Sequence, residues 1–188
     1  MADLSAANGT WVIDAAHTSI GFSARHLMVS KVRGSFTAFE GGFTIDASNV
    51  SASSANLTIQ AASIDTSSAD RDVHLTSAEF LDVETFPTLT FVSTSAADKG
   101  NIVEVSGDLT IHGVTKSVVI PWEFIGVSTD PWGNTKAGFE AELEISRQEF
   151  GLVWNVALET GGVLVSDKIK LTLDIQALQG LVGIEPAA

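Results

Sequence analysis

The chain contains no cysteine. Disulfides, thiolate metal sites and cysteine nucleophiles are excluded together. Positive charge is also scarce: 10 Lys and Arg stand against 23 Asp and Glu in 188 residues, a formal net charge of −13. Nucleic acid is held by neutralising phosphates with Lys and Arg, so no nucleic-acid partner is expected. Broad attraction to anionic membrane surfaces is disfavoured for the same reason. No run approaches the ~18 apolar residues that would span a bilayer, so no stable membrane insertion is expected. The first ten residues carry neither a basic nor an apolar stretch of secretory type. A cytoplasmic location is the expectation, or a periplasmic or secreted one if a signal has been removed. Linkers of low complexity and repeats of solenoid period are absent too, and the length suits one domain.

What is present is apolar residues, 45% of the chain, in a period of two. Phe139, Ala141, Leu143 and Ile145 alternate with Glu140, Glu142 and Glu144. Ile169, Leu171, Leu173 and Ile175 alternate with Lys168, Lys170, Thr172 and Asp174. The same rhythm runs through Ile20–Ala24, Leu57–Ala61 and Val118–Phe124. Each stretch has one face for water and one for an interior, as antiparallel strands do. His112-Gly113 between two such runs has the form of a two-residue hairpin loop with both residues at positive φ. Asp130 to Asn134 reads as a longer turn, and Gly41-Gly42 as a bulge or sharp bend. One stretch, 68–81, reads as helix. Thr76 and Glu79 there have capping-box spacing, which puts a short helix from Thr76 through Leu81. The fold class expected is all-β: an antiparallel barrel of about eight strands, with a helical cap around 68–81. Residues 1–9 form a lead, 10–178 the domain and 179–188 a loosely held tail.

Several motifs together resemble the YceI-like family. They are Trp11-Val-Ile-Asp14 with His17, Ser30-Lys-Val-Arg-Gly34, Phe36-Thr-Ala-Phe39 and Ser63-Ile-Asp-Thr66. Arg71-Asp-Val-His-Leu75, Phe86-Pro87, Gly107-Asp-Leu-Thr-Ile-His-Gly113 and Arg147-Gln-Glu-Phe-Gly151 follow in order, so the resemblance spans about 10–178. It implies an extended, lipocalin-like barrel with a hydrophobic pore. It also implies a polyisoprenoid ligand, such as an isoprenoid quinone or a prenyl pyrophosphate.

The residues themselves point to no catalytic apparatus. No Gly-x-Ser-x-Gly elbow occurs, and the Glu140/Glu142 pair falls on the face opposite the apolar residues. Of the four histidines none pairs with another at ligand spacing, so no metal and no cofactor is expected. His112 serves a turn, and His17 lies three residues from Asp14 for a local bond. The ligand-contact candidates are Phe22, Phe36, Phe91 and Trp122, with Leu75 and Phe80 closing one end. Phe124 shares the pattern. Head-group candidates come from two clusters. The first is Arg25, His26 and Arg33, in a stretch with no carboxylate between Asp14 and Glu40. The second is Arg71 and His74. The structural alternatives are a positive outer face for the first cluster. For the second they are Arg71 bridging carboxylates and His74 bonded to backbone.

Burying about 15 methylene groups gives roughly 12 kcal/mol gross at ~0.8 kcal/mol each. Association costs about 4–15 kcal/mol, so only a long chain in a preformed pore leaves a surplus. The expectation is a non-enzymatic carrier or store for a long isoprenoid, acting as monomer or homodimer. The rivals are a carrier of fatty acid or haem (His26 or His74 ligating), a filled barrel that works as a surface interaction module, and an enzyme of isoprenoid metabolism.

Overall fold

The computed structural model describes residues 4–159 and 162–180. Eleven strands form one antiparallel sheet. They are β1 (Gly9–Ile13), β2 (Ser19–His26), β3 (Ser30–Phe36), β4 (Phe39–Ile45), β5 (Ser54–Gln60), β6 (Ile64–Asp65), β7 (Thr88–Asp98), β8 (Ile102–Ile111), β9 (Val114–Thr129), β10 (Thr135–Ser146) and β11 (Val165–Gln179). The order β1-β4-β5-β7-β8-β9-β10-β11 closes on itself through Trp11↔Gln179 and Ile13↔Ala177. Closure removes the open edges that a sheet would otherwise expose. Strands β2, β3 and β6 prolong β1, β4 and β5 respectively, so the eleven segments make eight staves. The barrel of eight expected from the alternation is the barrel observed.

Three staves are creased and five run on. The creases fall at 14–18, 37–38 and 61–63, between paired strands. Backbone bonds stitch them at one level: Thr37 N–H donates to Ser63 O at 3.1 Å and Gln60 N–H to Ala38 O at 2.9 Å. Asp14 N–H donates to Gln176 O at 2.8 Å. The bend expected at Gly41-Gly42 is not there. Both glycines sit in unbroken register, Gly41↔Leu57 and Gly42↔Asn56. Gly41 instead permits close approach, since a Cβ on it would lie 2.4 Å from Asn56 O.

The inward and outward faces follow the period of two. Phe139, Ala141 and Ile145 are buried, while Glu140, Glu142 and Glu144 face out, with Glu142 meeting Lys170 at 2.7 Å and Glu144 meeting Lys168 at 3.8 Å. A transmembrane barrel has the reverse arrangement, apolar outside. No helix among the described residues is long and apolar enough to cross a membrane. The β8–β9 hairpin closes through His112 (φ 52) and Gly113 (φ 71), the double positive φ of a type I′ turn. The Asp130–Asn134 turn is also present, with the Asp130 carboxylate accepting from Trp132 N and Asn134 N at 2.9 Å each.

The helix is α1, Ala69–Thr76, which ends at the residue expected to start it. The hydroxyls explain the difference. Thr76 Oγ1 donates to Val73 O at 3.0 Å and Ser77 Oγ to His74 O at 2.7 Å, so both hydroxyls close the helix on its last carbonyls, while Ser77 Oγ also accepts from Glu79 N at 3.3 Å. Glu79 is drawn to His74, whose Nε2 lies 2.6 Å from its carboxylate. Asp70 and Asp72 occupy the first turn, favoured by the helix dipole.

Both ends of the chain's described part are tied in. Leu4 and Ala7 are buried, and Trp11, fully buried, donates its indole N–H to Ala7 O at 2.7 Å. Of the stretch expected to be a loose tail, Gln179 lies within β11 and Gly180 N–H donates to Thr10 O at 3.2 Å. Residues 181–188 lie outside the described part.

A two-lobed interior with charge at one end

The barrel is not filled. Its interior holds two spaces, of about 170 Å³ and about 270 Å³. Phe36, Leu89, Ile111 and Leu171 border both, so they form a waist between contiguous lobes. Phe36 is the last residue of β3, which puts the waist at the crease. The inner lobe is walled by β1, β4, β5 and β7–β11 with Ile20 and Gly21 of β2 and Phe36 of β3, and Leu4 and Val50 also border it. Its lining has no charged residue. The capped lobe is walled by β2, β3 and the start of β11, under α1 and the 147–154 segment.

Two glycines keep this space open. A Cβ on Gly34 would lie 2.5 Å from the Phe22 ring, and one on Gly107 would lie 2.5 Å from the Phe91 ring. Gly34 is the direct cross-strand partner of Phe22, whose ring lies back over it. The Phe22 and Phe36 rings sit 5.8 Å apart at the wall rather than stacked across the bore.

The six apolar residues expected to contact ligand all line the interior. Phe91 and Trp122 border the inner lobe, Phe22, Leu75 and Phe80 the capped lobe, and Phe36 both. Phe124 packs against the core by its contact with Phe139 at 5.1 Å and borders neither lobe. Of the head-group candidates, the structure brings His26, Arg71 and His74 to the capped lobe, while Arg25 borders it from an exposed position on the outward face of β2, paired with Lys31. It does not bring Arg33, which is exposed on the outward face of β3, between inward-facing Val32 and Gly34.

Arg147 was missed. It stands 3% exposed at the end of β10, in the wall of the capped lobe. Its guanidinium donates to the carbonyls of Ser166 (3.0 Å), Leu152, Trp154 (2.9 Å) and Val165 (3.5 Å). Burial lowers its pKa, and the nearby Asp167 carboxylate opposes that shift. Trp154 was missed as well. It packs on Phe80 at 5.0 Å and meets the His74 ring edge-on at 4.8 Å. The sequence signal available was a lone Arg just beyond an alternating strand, followed within four residues by Phe150-Gly151.

The cap is fixed differently from the structural alternative given for its polar cluster. Arg71 bridges no carboxylate: its Nε and Nη2 donate to Thr66 Oγ1 and Thr66 O, both at 2.7 Å. The Asp72 carboxylate accepts from Thr66 N at 3.0 Å, so Thr66 joins the two. His74 bonds to Glu79, not to backbone. Among the described residues Arg25, Arg71 and Arg147 form no ion pair, and no Asp or Glu lines the capped lobe. The lining of its polar end is therefore cationic, with Asp167 near Arg147 and Glu79 on His74 as the neighbouring carboxylates. Across the crease, His17 Nδ1 lies 2.8 Å from the Asp14 carboxylate, the local bond expected of it. No group of three or more His, Asp or Glu that would suit a metal occurs among the described residues.

An antiparallel sheet of eight staves closed around an apolar interior defines the class of closed β-barrels. Within that class this chain belongs to the YceI-like domain family, whose model matches residues 11–177. A UPF0312 protein of Vibrio cholerae is 45% identical over 145 residues, 76% of this chain and 77% of that one. The crystal structure of BcnA from Burkholderia cenocepacia superposes with a TM-score of 0.75 at 24% identity, over 87% of this chain and 98% of that one. A polyisoprenoid-binding domain from Saccharophagus degradans, implicated in plant cell wall breakdown, gives 0.68 at 14% identity over 90% and 98%. The last two likenesses are of fold.

Proposed function

We propose that the barrel binds one long polyisoprenoid chain without transforming it, as a carrier or store. The chain threads the waist and turns its polar end toward the capped lobe. One observation carries this reading: two cavities adjoin at a shared ring of side chains, the inner one lined without charge and the other charged with one sign. The naming of the Saccharophagus domain for polyisoprenoid binding agrees with it. A quinone oxygen or a pyrophosphate suits the Arg71 and Arg147 side of the capped lobe. Haem fits less well, because the His74 ring is committed to Glu79 and wedged between Phe80 and Trp154.

Organic extraction of natively purified protein, followed by mass spectrometry, tests the reading. A stoichiometric isoprenoid is expected. A protein that yields none and takes up no added prenol would end it. The head-group end is tested by Arg71→Ala, which is expected to weaken a prenyl pyrophosphate about tenfold more than the matching alcohol, as loss of a charge-assisted bond does. Equal weakening of the two would remove the cationic end from the recognition.

A further inference from the structure

The β2–β3 hairpin breaks a rule of turn chemistry. Leu27 and Met28 both have positive φ, 52° and 60°, and Val29 N–H closes the turn on His26 O at 3.0 Å. A turn of this hand calls for Asn-Gly, because side chains larger than Asn are strained there. Instead it carries two large apolar residues and a third, and packing does not explain them. Met28 is 60% exposed and Val29 81%. Strain and exposed apolar surface together at one turn point to a use outside the folded chain.

The turn has neighbours of the same kind. Leu27 N–H donates to Leu164 O at 2.9 Å, and Met28 Cγ lies 3.7 Å from where a Gly162 Cβ would stand. Val163 and Val156 on that facing segment are exposed, as is Val153 beside Trp154. Directly below the turn, Arg25 pairs across the strands with Lys31, and Arg33 follows on the same outward face. No carboxylate occurs between Asp14 and Glu40, and the facing turn contributes one, Glu159. An apolar tip is thus collared by cations on a chain of net charge −13. That local reversal of sign fits an anionic lipid surface. The tip also adjoins the capped lobe, because His26 and Leu164 on either side of it line that lobe.

We propose that this tip docks the protein reversibly on a bilayer, with Leu27, Met28 and Val29 entering the headgroup boundary and Lys31 and Arg33 meeting lipid phosphates. The cap end then faces the membrane, so a guest leaving lipid enters the bore without crossing water. The docking stands on the tip alone; the passage of the guest rests on the carrier reading.

The test is co-sedimentation of the whole protein, without guest, with vesicles of phosphatidylcholine and of phosphatidylcholine plus phosphatidylglycerol. Binding to both is expected, tighter to the second. Leu27→Asn with Met28→Gly supplies the residues the turn calls for. It is expected to lower the vesicle partition coefficient about tenfold or more while raising Tm. Lys31→Gln with Arg33→Gln is expected to lose about fivefold per charge on anionic vesicles and little on neutral ones. Wild-type protein that stays in the supernatant, or a Leu27/Met28 double variant that still binds, overturns the proposal. So does a concentration-dependent dimer abolished by that variant, which assigns the tip to a second copy. Prenol affinity in vesicle-free solution is expected to be unchanged in the double variant. Failure of the carrier reading would appear there, and failure of docking in the pellet.

Discussion

The waist offers the sharpest test of a threaded guest. Leu171 lies mid-strand on β11, borders both lobes, and is only partly buried, so its side chain faces open space. Leu171→Trp extends a rigid ring across that opening. With about 170 Å³ beyond the waist and about 270 Å³ before it, the sealed part is roughly two fifths of the interior. A chain that gains roughly 12 kcal/mol gross from full burial then loses about 5 kcal/mol. At ~1.4 kcal/mol per decade that is three or more decades in Kd. A short prenol that fits the capped lobe alone should bind as before. The assay is a titration of both ligands into wild type and variant by intrinsic fluorescence or calorimetry. Overpacking should cost at most ~1–3 kcal/mol of stability, checked by denaturant melting in the absence of ligand. Equal weakening of short and long ligands would refute threading, and so would an unaffected long one.

Three further outcomes follow from the geometry. Arg147→Met leaves the carbonyls of Leu152, Trp154 and Ser166 without their donor and should destabilise the fold by about 3 kcal/mol in urea titrations. Arg147→Lys should recover little of it, since a point charge does not replace the fork. Gly107→Ala puts a methyl where the Phe91 ring lies, and should cost about 1–3 kcal/mol and lower the affinity for long ligands, read by melting and titration together. Asp14 is the pH case. Burial raises its pKa, but hydrogen bonds from His17 and Gln176 outweigh that, and the net value falls below the usual 3.8. A depressed carboxylate stabilises above its unfolded pKa and loses that contribution as pH falls through the folded one. Wild-type Tm should therefore drop more steeply below pH 3.8 than that of Asp14→Asn, and parallel curves would dismiss the effect.

Much of the barrel was legible because one face of each strand is dry. Phe139–Ile145 and Ile169–Ile175 reveal their inward faces by alternation alone, and the structure pairs the two with each other. The aromatics that line the interior were legible for the same reason. The same parity also told against Arg33: with Val32, Gly34 and Phe36 inward, an odd neighbour must face out. What alternation does not encode is where a stave creases. The creases at 37–38 and 61–63 are set by bonds between Thr37 and Ser63, which are distant in sequence. The helix was misplaced because Thr76 and Ser77 carry the same hydroxyls for closing a helix as for opening one. Arg147 stood out in the sequence only as part of a motif, because its role lies in bonds to four backbone carbonyls that residue identity does not point to.

The rings of Phe22 and Phe91 resting over Gly34 and Gly107 change what aromatic content means in such a barrel. Ordinarily more aromatic mass means less room. Here the width of the bore is set by missing methyl groups on neighbouring strands, which let each ring fold flat like a shutter against its wall. Calibre and side-chain volume thus become separate variables. A lineage could narrow or widen its channel through these glycines while leaving every ligand-facing residue unchanged, and two barrels with identical linings could then accept guests of different girth.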